Sequence, residues 1–279
     1  MRRGALESAG VHCALTLASL ASLYPVLWVV SLALSPRGLV DERGRAALLP
    51  AVTDLSLANF TTLFASPFFL RQVASSLVIS TATAIVAVAI ATPAAYALAR
   101  FPSAATEPSL RALLATQMFP AIGTAVPIYA ILSALRLLDT RAGLVLVYAS
   151  TAVPFAVFQL RGAFLTIPEA LEEAALVDGA TRFQAFVRVV LPAARPAISV
   201  TALFAFMSAW NEFILAATFL SREESYTLPV VLQRLVGEHG ASWGLFAAGS
   251  VVVSVPVMAI FYVLQKHIVG GLTAGGVKG

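Results

Sequence analysis

Cysteine and charged residues are scarce in this chain of 279 residues. Cys13 is the only cysteine, which excludes an internal disulfide, and the chain offers too few partners for a metal cluster. Charged residues make up 11% of the sequence and hydrophobic residues 59%, with a mean hydropathy of +0.88. This composition excludes an ordinary soluble domain. No run of basic residues indicates a nucleic-acid partner.

The sequence patterns of common catalytic sites are also missing. No G-x-x-x-x-G-K-[ST] loop occurs, so we expect this chain not to hold ATP phosphates itself. Neither H-E-x-x-H nor G-x-S-x-G is present, and His12, His239 and His267 are scattered along the chain. The sequence therefore predicts a protein without catalytic residues, without a metal site and without a cofactor of its own.

Six long windows are nearly free of charge, and each reaches the roughly 20 residues that cross a hydrocarbon core of about 30 Å. The windows cover residues 11–34, 73–98, 112–135, 142–160, 196–220 and 243–264. They predict an all-α integral membrane protein with six transmembrane helices in one domain over residues 1–279. The first window is longer than the roughly 7–15 residues of a signal-peptide core, which favours a retained span.

A stripe of small residues follows one face of the second window. Alanines recur there at four-residue spacing, and such a stripe lets helix backbones approach closely in lipid. The residues are Ala87, Ala91, Ala95 and Ala99. The pattern indicates helix packing rather than chemistry.

The longest charge-bearing stretch between two windows is residues 168–192, PEALEEAALVDGATRFQAFVRVVLP. Pro168 suits the first position of a helix, and the acids that follow it are favourable near the positive end of the helix dipole. Ala170, Ala174 and Val177 share helical spacing and predict an apolar stripe. Gly179 tolerates the left-handed conformation that commonly ends a helix.

A second helix is predicted directly after this glycine. Thr181 and Gln184 have the spacing of a capping box, which starts a helix. Apolar residues at positions 183, 186, 187 and 190 give it an apolar face of its own, and Pro192 is expected to end it. The product is a helix–turn–helix joined at both ends to membrane spans.

The same segment resembles the EAA signature of ABC-importer permeases. Glu173-Ala174-Ala175 is followed after three residues by Gly179, and after nine more by Val189-Val190-Leu191-Pro192. Val189 replaces the usual isoleucine. The resemblance implies a cytoplasmic coupling helix that docks in a cleft of the ATPase subunit. The implied coupling residues are Glu173, Ala174, Ala175, Asp178, Gly179, Ala180 and Thr181. The alternative is an amphipathic loop on the membrane surface.

Other stretches resemble the maltose- and trehalose-type inner-membrane subunits of sugar importers. They are residues 95–101, the tetrad 210–213 and the Gly-rich ending 270–279. The resemblance implies that the ending, a cytoplasmic tail over 267–279, reaches between two ATPase subunits. The implied tail contacts are Thr273, Gly275, Gly276 and Lys278. From composition alone, this ending is a flexible tail.

Three polar residues inside the windows are candidates for a substrate pathway. Glu212 is the only acid in the six windows, and an acid in a span is a functional candidate. Its position and the adjacent Trp210 equally suit an anchor at the outer interface. Asn211 precedes it in the tetrad that resembles sugar permeases. Gln117 in the third window fits either an interhelical hydrogen bond or substrate contact.

The resemblance implies a fold of the type I ABC importer permeases and a role in ATP-driven carbohydrate import, with maltose- or trehalose-like sugars as substrates. The implied partners are a second permease subunit, an ATPase dimer and an extracytoplasmic sugar-binding protein that faces the loop 221–242. The chain would reside in the cell membrane with both termini cytoplasmic. Charge alone barely supports this orientation, because ten Lys and Arg would lie inside and eight outside.

The sequence leaves two other classes open. A standalone secondary transporter or channel would carry several intramembrane charges or an inverted repeat, neither of which is visible. An intramembrane enzyme would need nucleophiles, acids or metal ligands within the spans, and one acid is little material for catalysis.

Overall fold

A computed structural model describes the backbone of residues 5–35, 55–237 and 242–275, and the side chains of 8–35, 55–237 and 242–265. Every regular element in these ranges is helical. Four helices are long and apolar enough to cross a membrane: α1 (Ala5–Ala33), α3 (Phe69–Arg100), α6 (Arg141–Thr166) and α13 (Trp243–Gly275). Two further pairs of bent helices bring the candidate spans to six if each pair counts as one. The predicted all-α membrane architecture is confirmed.

The remaining helices are shorter, and they include the members of the two bent pairs. They are α2 (Ala58–Ala65), α4 (Thr106–Thr116), α5 (Ala121–Ala134), α7 (Ala170–Val177), α8 (Arg182–Ala185), a π-helix (Phe186–Val190), α9 (Leu191–Ala193), α10 (Arg195–Trp210), α11 (Ile214–Phe219), a 3-10 turn (Glu223–Ser225) and α12 (Leu228–Leu235). Among its described residues, the segment 35–71 holds only the eight-residue α2 and the start of α3.

The third window is not one straight helix. It is divided between α4 and α5, which meet at an angle of 95°. The reason lies at Pro120, which has an extended backbone before α5 and no N–H to continue α4. The residue before a proline is also disfavoured in helical conformation, so Phe119 cannot extend α4 either. Pro120 is visible in the sequence, but hydropathy alone does not distinguish a broken helix from a continuous one.

The fifth window is also interrupted. α10 ends at Trp210, three residues leave the helix, and α11 begins at Ile214. The predicted continuous helix over 196–220 is therefore wrong. At the other end, α10 follows the helical run 182–193 with a bend of 74°.

The chain divides into two compact units. One contains residues 1–69 and 231–256, and the other contains residues 70–230 and 257–279. In the first, the Asn59 amide donates to the carbonyl oxygens of Ala33 and Ser35, at 3.0 and 3.1 Å, and so ties α2 to the end of α1. The second unit holds the segment 168–192.

The predicted alanine stripe is buried in this second unit. Ala87, Ala91 and Ala95 have no exposed surface, and Ala99 has 5%. Three of these alanines share one apolar cluster with residues of α6, the π-helix and the turn before α10. The cluster contains Ala91, Ala95, Ala99, Leu110, Ala156, Val157, Leu160, Phe164, Val190 and Ala194. Methyl side chains allow this close packing, as the spacing predicted.

The predicted tail is helical as far as the structure describes it. α13 extends through Thr273 to Gly275, so this part is not the flexible coil that composition alone suggests. The side chain of Thr273 lies outside the described residues, as do Gly276 and Lys278 entirely, and only the backbone of Gly275 is described. The predicted contacts of this ending therefore stay a prediction.

Candidate functional site

The segment 168–192 folds as two short helices around a sharp turn at Gly179. This glycine has a φ of +88°, in the left-handed region that ends helices. Its N–H donates to the Leu176 carbonyl at 3.0 Å, and the Ala180 N–H donates to the Ala175 carbonyl at 2.9 Å. This pair of bonds is the Schellman motif, and it satisfies carbonyl groups at the end of α7. The predicted helix stop is confirmed.

The second helix begins with the predicted capping box. The Thr181 hydroxyl accepts from the Gln184 N–H at 3.2 Å, and the Gln184 side chain accepts from the Thr181 N–H at 2.9 Å. Together with the Schellman motif, this box fixes Asp178, Gly179, Ala180 and Thr181 through local bonds. Asp178 and Thr181 are exposed and Ala180 is half-buried.

Two helix boundaries differ from the prediction. Pro168 precedes α7 by two residues, and its carbonyl accepts from the Leu171 N–H at 3.2 Å. Pro192 does not end the second helix, which runs on through a π turn to Ala193. Pro192 has no N–H that could bond to the Arg188 carbonyl. The helix therefore widens to a π turn, in which the Leu191 N–H bonds to the Phe186 carbonyl, five residues back.

The predicted apolar stripe of α7 is exposed. Ala170 and Ala174 are exposed, and the Val177 side chain is 87% exposed. Phe183 on the second helix is 74% exposed, whereas Val190 is fully buried in the apolar cluster. The segment thus presents apolar side chains outward around the Gly179 turn. Glu173 is exposed and Ala175 is half-buried.

The buried side of α7 is held by Glu172, which the sequence placed only among the favourable acids of the first turns. Its carboxylate accepts from the Tyr96 hydroxyl at 2.6 Å and from the Arg100 Nε at 2.7 Å. Arg100 also donates to the Ile167 carbonyl at 2.8 Å. Tyr96 and Arg100 lie in the last turns of α3, so this helix is bonded to the segment at several atoms.

The three candidate pathway residues lie at helix breaks. Gln117 follows α4 at the 95° bend and donates to the Thr151 carbonyl of α6 at 3.1 Å. Asn211 is exposed and donates only to the Met207 carbonyl of its own helix among the described residues. The interhelical bond of Gln117 is therefore present, while neither residue is shown to contact a substrate.

Glu212 caps the restarted helix α11. Its two carboxylate oxygens accept from the N–H groups of Leu215 at 2.9 Å and Ala216 at 3.1 Å. The Tyr148 hydroxyl of α6 donates to the same carboxylate at 2.8 Å. A side-chain acceptor at this place satisfies N–H groups that have no partner within a new helix. The acid thus has a structural role that neither sequence interpretation included.

Both helix breaks are hydrogen-bonded to the same turn of α6. Glu212 bonds to Tyr148, and Gln117 bonds to Thr151, three residues further along the same helix. Helix interruptions at membrane depth are tolerated where the freed backbone groups find partners in protein. Discontinuous helices also form substrate sites in transporters. The geometry fits transport better than it fits catalysis.

Residues 87–273 match the family described as binding-protein-dependent transport system inner membrane components. The chain belongs to this family. It is a permease component, and the family assignment replaces the standalone secondary transporter that the sequence left open. The matched region contains the segment 168–192 and both helix breaks.

Similar proteins support this assignment. A putative ABC transporter permease protein of Streptomyces antibioticus is 40% identical over 223 residues, covering 80% of this chain and 97% of that protein. A trehalose transport system permease protein of Mycobacterium tuberculosis is 35% identical over 260 residues, covering 92% and 93%. A chain of a bacterial ABC transporter for import of the acidic polysaccharide alginate has the same fold, with a TM-score of 0.76 at 24% identity over 95% of this chain and 98% of that chain.

A second polar cluster of the permease joins the turn before α6 to the segment after α11. The Arg222 guanidinium donates to the Asp139 carboxylate and, at 3.1 Å, to its carbonyl. The N–H groups of Ser221 and Arg222 also point to this carboxylate. Glu224 pairs with Arg71 at 2.6 Å. These bonds fix the start of the loop 221–242, and α12 lies within that loop.

This cluster has a predicted pH dependence. Partial burial acts to raise the pKa of Asp139, but the hydrogen bonds from Arg222 and Ser221 outweigh it and lower that pKa. A depressed pKa in the folded state means that the stabilisation is present above the ordinary aspartate value of about 3.9 and is lost as the pH falls through the folded value. We expect Asp139→Asn to lower the Tm of the permease in detergent. Above about pH 5, the difference in Tm between wild type and variant should not change with pH.

That difference should shrink in acid. Thermal melts of wild type and Asp139→Asn at several pH values measure it, with Glu107→Gln as the control for an exposed ion pair, Glu107–Arg161 at 3.3 Å. Equal Tm values for wild type and Asp139→Asn at neutral pH would show that the bonds of Asp139 do not stabilise the loop.

Proposed function

We propose that this permease is the membrane subunit of an ATP-driven importer of carbohydrates, and that the segment 168–192 docks on a separate ATPase. The observation that carries the proposal is the outward apolar surface around a turn fixed by Gly179 and a capping box. Val177 and Phe183 leave large apolar areas in water, which is unfavourable unless a partner covers them. The polar side of the segment is already bonded to α3 through Glu172.

Carbohydrate is the proposed substrate class because of the relatives. The Mycobacterium tuberculosis relative is named for trehalose, and the structural neighbour is named for alginate. Both are built from sugar units. We propose a maltose- or trehalose-like oligosaccharide, delivered by an extracytoplasmic binding protein, as the family description implies. A second permease subunit would complete the pathway.

In the proposed mechanism, ATP binding closes an ATPase dimer outside this chain. The segment 168–192 moves with the ATPase, and the spans rearrange around the pathway. The ending 273–279 would contact the ATPase as well. Both termini would lie on the cytoplasmic side, the side of the segment. Gln117, Asn211 and Glu212 lie at the breaks where a substrate would pass, and Glu212 is held there by α6.

The docking proposal predicts a loss of the ATPase from two variants. Val177→Asp places a charge in the proposed contact, and Glu173→Lys reverses a charge that has no ion-pair partner among the described residues. Burial of an apolar side chain such as that of Val177 contributes about 1.5–3 kcal/mol to binding. Binding of the ATPase should therefore weaken roughly tenfold or more. Co-purification of the ATPase with the permease measures this effect.

Glu223→Lys is the matched control, because it reverses an exposed acid that also has no ion-pair partner among the described residues and lies in the 3-10 turn rather than in α7. It should leave ATPase binding near normal. Uptake of labelled trehalose by the reconstituted complex, against labelled methionine, tests the substrate class. If both α7 variants keep the ATPase bound and its hydrolysis stimulated by sugar, the segment is not the docking site.

A further inference from the structure

We infer that Tyr96 and Arg100 are positioning residues that make the end of α3 move together with the segment 168–192. The inference rests on the proposed docking of that segment on an ATPase. It identifies the end of α3 as the place where a displacement of the segment is transmitted to the membrane helices. We call the group of Tyr96, Arg100 and Glu172 the α3 latch.

The α3 latch occupies both oxygens of one carboxylate. Glu172 Oε1 accepts from the Tyr96 hydroxyl at 2.6 Å, and Oε2 accepts from the Arg100 Nε at 2.7 Å. Tyr96 and Arg100 are four residues apart and therefore lie on one face of α3. Two short bonds from adjacent turns define both the distance and the rotation of α7 relative to α3. Charged hydrogen bonds of this kind are among the strongest in proteins.

Two of the three side chains of the latch are largely shielded from water. The side chains of Arg100 and Glu172 are only 6% and 11% exposed. Surface ion pairs contribute little, whereas removal of one partner from a buried pair leaves an uncompensated charge. Glu169 provides the contrast within the same helix start, because its side chain is 68% exposed and lies 3.6 Å from Arg100. Separation of α3 from α7 is therefore strongly disfavoured, while loss of the Glu169 contact is not.

The contacts extend to both ends of the segment. Arg100 donates to the Ile167 carbonyl at the end of α6, which has no partner within that helix. The Tyr96 ring lies 4.4 Å from the Phe186 ring of the π-helix and 5.9 Å from the Phe164 ring of α6. The last turns of α3 thus contact the helix before the segment, its first helix and its second helix. A displacement of the segment cannot leave this end of α3 behind without breaking several bonds.

The alternative is that the segment moves as a hinge about fixed spans. In that case the distance between α3 and α7 would change during the ATP cycle. Exposed positions for spin labels exist on both sides, at Ala104 after α3 and at Ala170 at the start of α7. The single native cysteine can be removed as Cys13→Ser, since Cys13 is exposed and free.

The first experiment measures that distance. In the complex with its ATPase, a pair of labels at Ala104→Cys and Ala170→Cys should give the same distance without nucleotide and with ATP plus EDTA. A change of several ångströms in the otherwise native complex would show that the segment hinges, and would overturn the inference. Glu172→Gln and Tyr96→Phe should broaden or shift the distance on ATP binding, and Glu169→Gln should not.

The second experiment separates the latch from docking and from folding. Tyr96→Phe keeps the ring contacts and removes one hydrogen bond, so the permease should fold and keep its ATPase. Uptake of labelled trehalose per ATP hydrolysed should nevertheless fall on the order of tenfold, within the range of typical coupling energies. Glu172→Gln leaves the buried Arg100 without its counter-charge, so uptake per ATP should fall at least as far and the Tm should fall as well. Unchanged uptake per ATP in both variants would overturn the inference. If the wild-type permease does not bind the ATPase at all, that result contradicts the docking proposal instead.

Discussion

Gly179→Val is expected to reduce uptake by roughly tenfold or more while leaving the abundance of the permease in the membrane near normal. The φ of +88° at this position disfavours any residue with a Cβ, and the cost is about 1–2 kcal/mol, greatest for a β-branched residue. No atom lies within 4 Å of an added Cβ, so the strain comes from the backbone and not from a clash within the chain.

Strain at this turn has a consequence beyond stability. The chain can relieve it by changing φ, and this would break the bonds from Gly179 and Ala180 to the end of α7. The exposed surface formed by α7 and α8 would then lose its fixed shape. Because the turn lies outside the candidate spans, insertion into the membrane should continue. Uptake and ATPase co-purification in the reconstituted complex are the measurements.

Two controls make this prediction specific. Gly162 also has open space around an added Cβ, but it lies within the regular helix α6. Gly162→Ala should therefore be neutral or stabilise the protein by up to about 1 kcal/mol. Gly179→Asn should retain more activity than Gly179→Val, since asparagine tolerates the left-handed region. Equal activity of Gly179→Val and wild type would show that this turn does not have to keep its geometry for transport.

Glu212→Leu should lower the amount of folded permease in the membrane. The substitution leaves the N–H groups of Leu215 and Ala216 and the Tyr148 hydroxyl without their acceptor. Leu215 and Ala216 are buried, and an unsatisfied buried donor costs about 1–3 kcal/mol. The sum is of the order of the whole stability of a small domain. Abundance in the membrane and Tm in detergent report the loss.

Glu212→Gln distinguishes hydrogen bonding from charge. The amide has a similar shape but keeps only one of the two acceptor oxygens, so a purely capping role predicts an abundance between those of wild type and Glu212→Leu, with uptake reduced in the same proportion. Loss of uptake with normal abundance would instead place the charge in the substrate pathway. Asn211→Leu is the matched control for abundance at the same break and should leave it near normal, because its amide bonds only to the Met207 carbonyl of its own helix among the described residues. Wild-type abundance of Glu212→Leu would contradict the capping role.

Local chemistry made the segment 168–192 predictable. A Schellman turn needs a residue that tolerates positive φ, and a capping box needs Thr and Gln three residues apart, so Gly179, Thr181 and Gln184 determine their own geometry. Hydropathy likewise predicted the membrane class, because a window of about 20 apolar residues has few alternatives to a span. The alanine stripe predicted the buried face of α3 for a similar reason, since only small side chains allow that approach.

Contacts between distant residues decided the rest. Glu172 is bonded by residues 76 and 72 positions away, so no pattern within α7 distinguishes it from the exposed Glu169 and Glu173. The break at Glu212 depends on Tyr148 of α6, and hydropathy is continuous across it. Helical spacing identified the apolar stripe of α7 but not whether that stripe faces outward, because the buried charge pair with Arg100 outweighs a few alanine methyl groups in setting the rotation of the helix. The sequence by itself determined the membrane class and the shape of the segment 168–192, and only the tertiary structure decided how α3 and α6 hold that segment and the helix breaks.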